Sequence, residues 1–76
     1  MIAFVQIGTE LGKEREIAEK LRNMPEVDDV YGTFGHFDIM VTVEGKTPED
    51  VGNIVIEQIR SIPGVNLTET ILTIPF

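Results

Sequence analysis

One short pattern occurs twice in this chain, and it restricts the possible folds more than any other feature of the sequence. Each copy has two apolar residues three positions apart, then proline, then valine two positions after the proline. The copies are Leu21-x-x-Met24-Pro25-x-Val27 and Ile59-x-x-Ile62-Pro63-x-Val65, with the prolines 38 positions apart. Because proline disfavours helical geometry in the residue before it, each copy predicts a helix that ends there and a strand that follows. The chain is therefore predicted to consist of two strand–helix–strand halves.

The hydrophobic pattern around these signals predicts six elements in the order β-α-β-β-α-β. Apolar and β-branched runs predict the strands, and an apolar stripe with a spacing of four and three predicts the first helix. Thr47 and Pro48, with two acids after them, are typical of a helix start. The predicted strands span residues 2–8, Val27–Phe34, Phe37–Glu44 and Val65–Ile74, and the predicted helices span residues 13–24 and Thr47–Ile62.

This order predicts an α+β fold of the ferredoxin-like type, a four-stranded antiparallel sheet with two helices on one face. Right-handed crossovers place the first and third strands at the centre of the sheet. The Asp28–Asp29 pair indicates that the second strand is an exposed edge. No linker, low-complexity segment or charge block interrupts the pattern, so residues 1–76 are predicted to form a single domain.

The chain is expected to associate, because its predicted sheet has more apolar surface than two helices cover. In a sheet with one solvent-exposed face, apolar and polar residues alternate along each strand. The first predicted strand instead has apolar residues at both odd and even positions, and in the third strand Met40 stands among the polar positions. A domain of 76 residues without cysteine also has a small core and no disulfide. We expect copies to dimerise through their uncovered sheet faces, although scattered surface hydrophobic residues also occur in monomers. Ile56, off the apolar stripe of the second helix, is either exposed or a contact to a further copy.

The charge of the chain argues against nucleic acid as a partner. Thirteen acidic and six basic residues give a formal net charge of −7, whereas affinity for nucleic acid depends on Lys and Arg at phosphates. Four basic residues lie in the first predicted helix among glutamates, a pattern typical of a solvated helix face. We expect neither direct DNA binding nor attraction to an anionic membrane. No apolar run approaches the roughly 20 residues of a membrane span, so a soluble, cytoplasmic protein is expected.

The sequence carries no recognisable catalytic or metal-binding motif. It lacks a cysteine nucleophile, a Gly-x-Ser-x-Gly elbow, a Walker loop and a Gly-x-Gly-x-x-Gly fingerprint. His36 and Asp38 are a candidate acid–base pair, but a polar turn histidine is the better interpretation because no nucleophile accompanies it. A lone histidine also needs several oxygen ligands to hold structural zinc. We predict no enzymatic activity, no cofactor and no metal.

Two segments have the composition of a ligand site. The first, Tyr31 to Asp38, combines glycines that let backbone approach a ligand, aromatic rings that exclude water and a carboxylate that can bind an ammonium group. An ordinary hairpin with core aromatic rings is the alternative, and for Phe34 and Phe37 we expect core positions. The second segment is Thr68-Glu69-Thr70, whose two hydroxyls share one strand face, although threonine also favours strands in general.

Together these segments resemble the effector domain of the leucine-responsive regulator and AsnC family. That family has a Gly-x-x-Asp loop before its third strand, and a Leu-Pro-Gly-Val run followed by Thr-x-Thr into its fourth. The corresponding runs here are Gly35-His36-Phe37-Asp38 and Ile62-Pro63-Gly64-Val65, the latter followed by Thr68-Glu69-Thr70. The resemblance covers essentially the whole chain, and the motifs occur in the family's order.

The resemblance implies a domain that dimerises through its sheets and assembles dimers into rings, often octamers. It also implies that an amino acid binds between dimers, near the loop that joins the second and third strands. By position, Asp38 would bind the amino group of that ligand. The other implied contacts are Gly35, His36, Phe37, Thr68, Thr70 and, as a weaker wall residue, Tyr31.

Full-length members of that family carry an N-terminal helix-turn-helix that binds DNA, whereas the first strand predicted here begins at Ile2. The chain therefore resembles the stand-alone members, which sense amino acids or assemble with a full-length regulator. Three alternatives stay open on the sequence. They are a small ferredoxin-like oxygenase or isomerase with a cavity in each protomer, a scaffold that only polymerises or caps a partner, and an amino-acid-binding domain that uses the loop from Gly8 to Gly12.

Overall fold

The computed structural model describes residues 1–76 and has strands and helices in the predicted order. The strands are β1 (Ile2–Thr9), β2 (Val27–Gly32), β3 (Ile39–Glu44) and β4 (Val65–Leu72). Helix α1 spans Glu14–Arg22, and the second helix consists of α2 (Pro48–Asn53) and a π-helical segment (Ile54–Ile59) that continues it. No helix in the chain is long and apolar enough to cross a bilayer.

The four strands form one antiparallel sheet in the order β2-β3-β1-β4, which confirms the predicted ferredoxin-like fold with β1 and β3 at the centre. At one end of the sheet, Ile7 of β1 lies opposite Ile39 of β3 on one side and Thr68 of β4 on the other. Strand β2 is an edge, as predicted, and its ladder to β3 is irregular between Val27 and Asp29. An irregular, charged edge hinders pairing with a further strand.

A single layer of apolar side chains between the sheet and the helices forms the core. Because strand side chains alternate between faces, every second residue of β1 and β3 points toward the helices and is buried. The cluster comprises fourteen buried residues, namely Ala3, Val5, Ile7, Ile17, Leu21, Val27, Ile39, Val41, Val43, Val51, Ile54, Val55, Ile59 and Ile62. These side chains fill the space between sheet and helices, and the grooves described below lie on the outside of the domain.

The start of the second helix follows the sequence prediction closely. The Thr47 hydroxyl accepts a hydrogen bond from the Asp50 N–H at 3.1 Å, and Asp50 Oδ2 accepts one from the Thr47 N–H at 3.2 Å. Pro48 occupies the first turn, where its missing N–H has no helical partner to lose. This reciprocal cap satisfies two backbone donors that the helix leaves free, and such caps contribute about 1 kcal/mol to stability.

The second helix is not a uniform α-helix, a feature that the sequence analysis did not predict. Its backbone is π-helical from Ile54 to Ile59. The Arg60 N–H donates to the carbonyl oxygen of Val55, five residues earlier, at 2.9 Å. This hydrogen bond places Arg60 one turn beyond Val55, a position that an α-helix gives to Ile59. The π-helical register therefore decides which side of the helix carries the Arg60 side chain.

The connection between β2 and β3 differs most from the prediction. Strand β2 ends at Gly32 and β3 begins at Ile39, so residues 33–38 form a loop instead of a tight turn. The expected core positions are wrong for Phe34, which is fully exposed, and for Phe37, which is half-buried. The reason is that β1 pairs with β3 no further than Ile39, so the loop extends past the sheet and past the core layer. Strand β4 also ends early, at Leu72.

The sheet face opposite the helices carries apolar as well as polar side chains, as the pattern of β1 predicted. Phe4 and Ile71 lie side by side on this face, and Met40 lies beside Gln6. Ile71 keeps 43% of its surface exposed and Ile2 keeps 46%. Large aliphatic side chains are thus half open to water on a face that no element of the protomer covers.

Candidate functional site

The loop between β2 and β3 is held in shape by three hydrogen bonds. Thr33 donates its N–H to the carbonyl oxygen of Asp38 and its hydroxyl to that of Phe37, both at 2.9 Å. The Asp38 N–H donates to the carbonyl oxygen of Ile7 at 3.0 Å, which attaches the loop to β1. Gly35 has φ of +146°, a conformation that residues with a Cβ rarely adopt. The shape of the loop thus requires glycine at this position.

The Asp38 carboxylate connects the loop to the end of β1. Its Oδ2 accepts hydrogen bonds from the Thr9 N–H at 2.9 Å and from the Thr9 hydroxyl at 3.3 Å. Asp38 is exposed and also lines a groove beside α1, together with Arg15 and Arg22. Because ionised carboxylates accept strong hydrogen bonds, Asp38 suits an ammonium group that enters this end of the sheet.

Three of the residues implied by the motif line a groove on the uncovered sheet face, with a volume of about 470 Å³. They are Gly35, His36 and Phe37, and the sheet contributes Gln6, Met40 and Glu69. His36 is exposed and makes no hydrogen bond, so no acid–base pair with Asp38 is formed in the protomer. Tyr31 lies on the same face, beside Met40, and is half exposed.

Thr68 and Thr70 point to the same side of β4, as predicted, and that side is the helix-covered one. They lie opposite Ile7 and Val5, whose side chains are in the core. Thr70 borders a surface groove between β4 and the second helix, lined mainly by Pro48, Val51, Gly52, Val55, Ile56, Arg60 and Leu72. Ile56 is 61% exposed there. The threonine pair therefore belongs to the rim between sheet and second helix.

Arg60 is a residue of this region that sequence reasoning missed. Its Nε donates to Thr68 Oγ1 at 3.0 Å, and its side chain separates the groove beside Thr70 from a second groove beside Thr68. In the sequence Arg60 is a single basic residue near the end of a predicted helix, with nothing to distinguish it from a solvated side chain. Arg60 directly follows the π-helical segment, and its N–H donates to the carbonyl oxygen of Val55.

Within one protomer the two candidate segments lie at the same end of the sheet but do not share a groove. Thr68, Ile7 and Ile39 form one row across β4, β1 and β3, and Asp38 directly precedes Ile39. Neighbouring strands are about 4.8 Å apart, so the backbones of Asp38 and Thr68 are about 10 Å apart with β1 between them. The loop groove opens on the uncovered face, whereas the threonines face the second helix. Residues that are separated within one protomer can still meet in a site to which two protomers contribute.

The chemistry of these residues is that of binding. The region offers a carboxylate, two threonine hydroxyls, a guanidinium group and glycine backbone, but no nucleophile next to a base. No group of three or more His, Asp or Glu side chains is arranged to hold a metal ion. Close packing of β1 against β4 accounts for Gly8, where a Cβ would lie 3.1 Å from the Asn66 side-chain oxygen and 3.2 Å from the Leu67 Cβ.

Comparison with known proteins agrees with this geometry. Residues 2–74 match the family described as the Lrp/AsnC ligand binding domain. The chain belongs to the Lrp/AsnC ligand-binding domain family. This assignment confirms the resemblance to the Lrp/AsnC family that the sequence predicted. The HTH-type transcriptional regulator FL11 of Pyrococcus horikoshii is 36% identical over 74 residues, which are 97% of this chain and 48% of FL11. The chain thus spans about half the length of the curated relatives it matches.

Several solved structures have the same fold as this chain. FFRP-DM1 is 41% identical with a TM-score of 0.90, and the match covers 96% of this chain and 97% of that one. AsnC of E. coli is 26% identical with a TM-score of 0.87, over 99% of this chain and 52% of AsnC. A transcriptional regulator of Neisseria meningitidis, solved in complex with L-Met, shares the fold at 20% identity and a TM-score of 0.87, over 97% of this chain and 49% of that one. The curated relatives are named as transcriptional regulators, which points to a role other than catalysis.

Proposed function

We propose that this Lrp/AsnC domain senses a free amino acid, which binds between dimers of the domain and changes their assembly. The observation that supports this best is the separation of the two candidate segments within one protomer. The backbones of Asp38 and Thr68 are about 10 Å apart, with β1 between them. Asp38 lines a groove beside α1, whereas Thr70 borders one beside the second helix, so the proposed site combines the loop of one copy with the threonines of another.

The uncovered sheet face is the proposed dimer surface. Phe4 and Ile71 are paired on it, and Ile2 and Ile71 are each more than 40% exposed. Apolar surface stabilises an interface by about 25 cal/mol for each Å² removed from water. Packing this face on its equivalent in a second copy covers these side chains by a symmetric contact. Dimers are then proposed to assemble into a ring, an octamer or a similar closed form.

Coupling between ligand and assembly follows from the shared site. A ligand that touches two dimers binds only when they are together, so it shifts the equilibrium toward the larger assembly. Gly35, His36 and Phe37 are proposed to contact the ligand through backbone groups, and Tyr31 to close the wall. A full-length regulator of the same family, present as a second subunit, is the proposed recipient of the signal. The charge of −7 makes direct contact with DNA unfavourable, and a cytoplasmic location suits this role.

The alternative, a small ferredoxin-like oxygenase or isomerase, requires a deep cavity between the sheet and the helices of each protomer. Ile7, Ile17, Leu21, Ile39 and Ile59 are fully or almost fully buried in that space. His36, its candidate base, is exposed in the loop at the opposite face. These observations favour the sensor.

Calorimetric titration of the wild-type protein with each of the twenty L-amino acids tests the proposal. L-Met is included because the transcriptional regulator of Neisseria meningitidis that shares this fold was solved in complex with it. We expect heat from one or a few amino acids, together with a change in sedimentation. Asp38→Asn should abolish the binding heat, whereas Asp28→Asn, an exposed carboxylate of β2, should leave it unchanged. Binding of no amino acid, or equal binding by both variants, would contradict the proposal.

A further inference from the structure

The proposed site has a charged partner for the amino group of its ligand but, in the motif residues alone, no charged partner for the carboxylate. Asp38 supplies one negative charge, and Thr68 and Thr70 supply neutral hydroxyls. An amino acid at neutral pH also carries a carboxylate, which arginine binds well because its planar fork of donors fits two carboxylate oxygens. A cation near the threonines would give the ligand carboxylate a charged partner in addition to the neutral donors of the motif.

Arg60 is placed to be that cation. Its Nε donates to Thr68 Oγ1 at 3.0 Å, which fixes the side chain beside the threonine pair. The sole ion pair of the chain joins Arg22 and Glu19 on α1, so no carboxylate neutralises Arg60. No other hydrogen bond involves its guanidinium group, and its terminal N–H donors stay available.

The surroundings of Arg60 preserve this free charge. Glu69 follows Thr68 in sequence but lies opposite Gln6, on the uncovered face of the sheet, and lines the loop groove there. On the threonine side, Arg60 is exposed and borders an open groove with Val55, Ile56 and Leu72. Electrostatic interactions strengthen when water is excluded, as it would be where a second dimer covers this groove.

The position of the Arg60 side chain depends on the π-helical backbone that precedes it. The π-helical hydrogen bond from Arg60 to Val55 turns Arg60 toward β4, whereas α-helical geometry would place it about 100° further around the axis. π-Helical turns are uncommon and occur frequently at functional sites. Arg60 thus combines an uncommon π-helical hydrogen bond in its backbone with a guanidinium group that has no carboxylate partner.

We propose that Arg60 binds the carboxylate of the amino-acid ligand and makes the site selective for free amino acids over amines and amides. This inference rests on the proposed function and adds to it the recognition of the carboxylate. Thr68 orients the guanidinium, and the ligand carboxylate approaches from the groove beside Thr70. Asp38 of an adjacent copy then meets the amino group at the other end of the ligand.

The test compares an amino acid with its own α-amide, which lacks the negative charge. Each L-amino acid that binds the wild type is titrated, together with its α-amide, into the wild type and three variants. The variants are Arg60→Gln, Arg60→Lys and the control Lys46→Gln, and the probes include L-Met and L-methioninamide. Lys46 is exposed in the turn after β3, so its loss changes the net charge equally. We expect wild type and Lys46→Gln to prefer the amino acid over the amide by roughly tenfold or more.

Arg60→Gln should bind the amino acid at least tenfold more weakly than the wild type and should no longer prefer it to the amide. The affinity and preference of Arg60→Lys should lie between those of the wild type and Arg60→Gln. Circular dichroism checks folding, and Arg60→Lys carries the test if Arg60→Gln does not fold. Wild-type affinity and preference in Arg60→Gln, with binding still lost in Asp38→Asn, would overturn the role of Arg60 and leave the proposed function intact. A wild type that binds none of the amino acids would overturn both.

Discussion

Asp38 and Thr9 are joined by two hydrogen bonds that connect the β2–β3 loop to the end of β1. Both bonds end on Asp38 Oδ2, one from the Thr9 N–H at 2.9 Å and one from its hydroxyl at 3.3 Å. The second carboxylate oxygen accepts no hydrogen bond within the protomer. One oxygen thus holds the loop in place, while the other is available to the ammonium group of the proposed ligand.

We predict that Asp38→Ala lowers the free energy of unfolding by about 1 kcal/mol, since the Thr9 N–H loses a charged acceptor at an exposed position. Thr9→Val should cost less, because it removes only the longer of the two bonds. Urea denaturation of both variants measures the difference. Equal losses in the two variants would mean that the backbone bond contributes little to the attachment of the loop.

The Gly35→Ala variant should lose about 1–3 kcal/mol of stability, because φ of +146° is unfavourable for any residue with a Cβ. No atom lies within 4 Å of a Cβ built at Gly35, so the cost comes from the backbone alone. Gly32→Ala is the matched control, as Gly32 has equal space and no positive φ. Thermal unfolding of both should show a lower Tm for Gly35→Ala only, and a similar loss in Gly32→Ala would refute the backbone explanation.

The fold could be predicted from the sequence because three independent sequence patterns indicated the same order of strands and helices. The repeated proline signal gave the two halves, the period of apolar residues separated helices from strands, and Thr47 with Asp50 marked a helix start. Each of these depends on residues that are neighbours in sequence, where spacing determines geometry. The π-helical register from Ile54 to Ile59 had no such signal, since the spacing of the apolar residues Val51, Val55, Ile59 and Ile62 is that of an ordinary α-helix.

The site was predicted in its parts but not in its arrangement. The alternation of side chains along β4 predicted that Thr68 and Thr70 share a face of the sheet. Alternation alone does not indicate whether that face is the one covered by the helices or the uncovered one. The length of the loop at Phe34 was missed because aromatic residues near a turn suit a core strand equally well. Arg60 was missed because its position depends on packing between the second helix and β4, a contact between residues far apart in the sequence.

Replacing Ile71 by glutamate should convert the proposed dimer into a monomer. Ile71 pairs with Phe4 on the uncovered sheet face, and a charge there would be buried without a partner, at a cost of several kcal/mol. Analytical ultracentrifugation at micromolar concentration should give a mass near 8.5 kDa for the variant and at least twice that for wild type. Leu11→Glu, at a fully exposed loop residue, introduces the same charge and should leave the dimer intact. A dimeric Ile71→Glu, or a monomeric wild type, would contradict packing through this face.

Thr68→Val should weaken amino-acid binding severalfold with little loss of stability. Valine keeps the shape and the strand preference of threonine but removes the oxygen that accepts the hydrogen bond from Arg60 Nε, so the guanidinium loses its fixed orientation. The effect should depend on Arg60, and calorimetry on Thr68→Val, Arg60→Gln and the double variant should give a coupling energy above about 0.5 kcal/mol. Thr70→Val, which leaves the bond from Arg60 to Thr68 in place, should combine additively with Arg60→Gln. Additive effects in both pairs would show that Thr68 contacts the ligand without positioning Arg60.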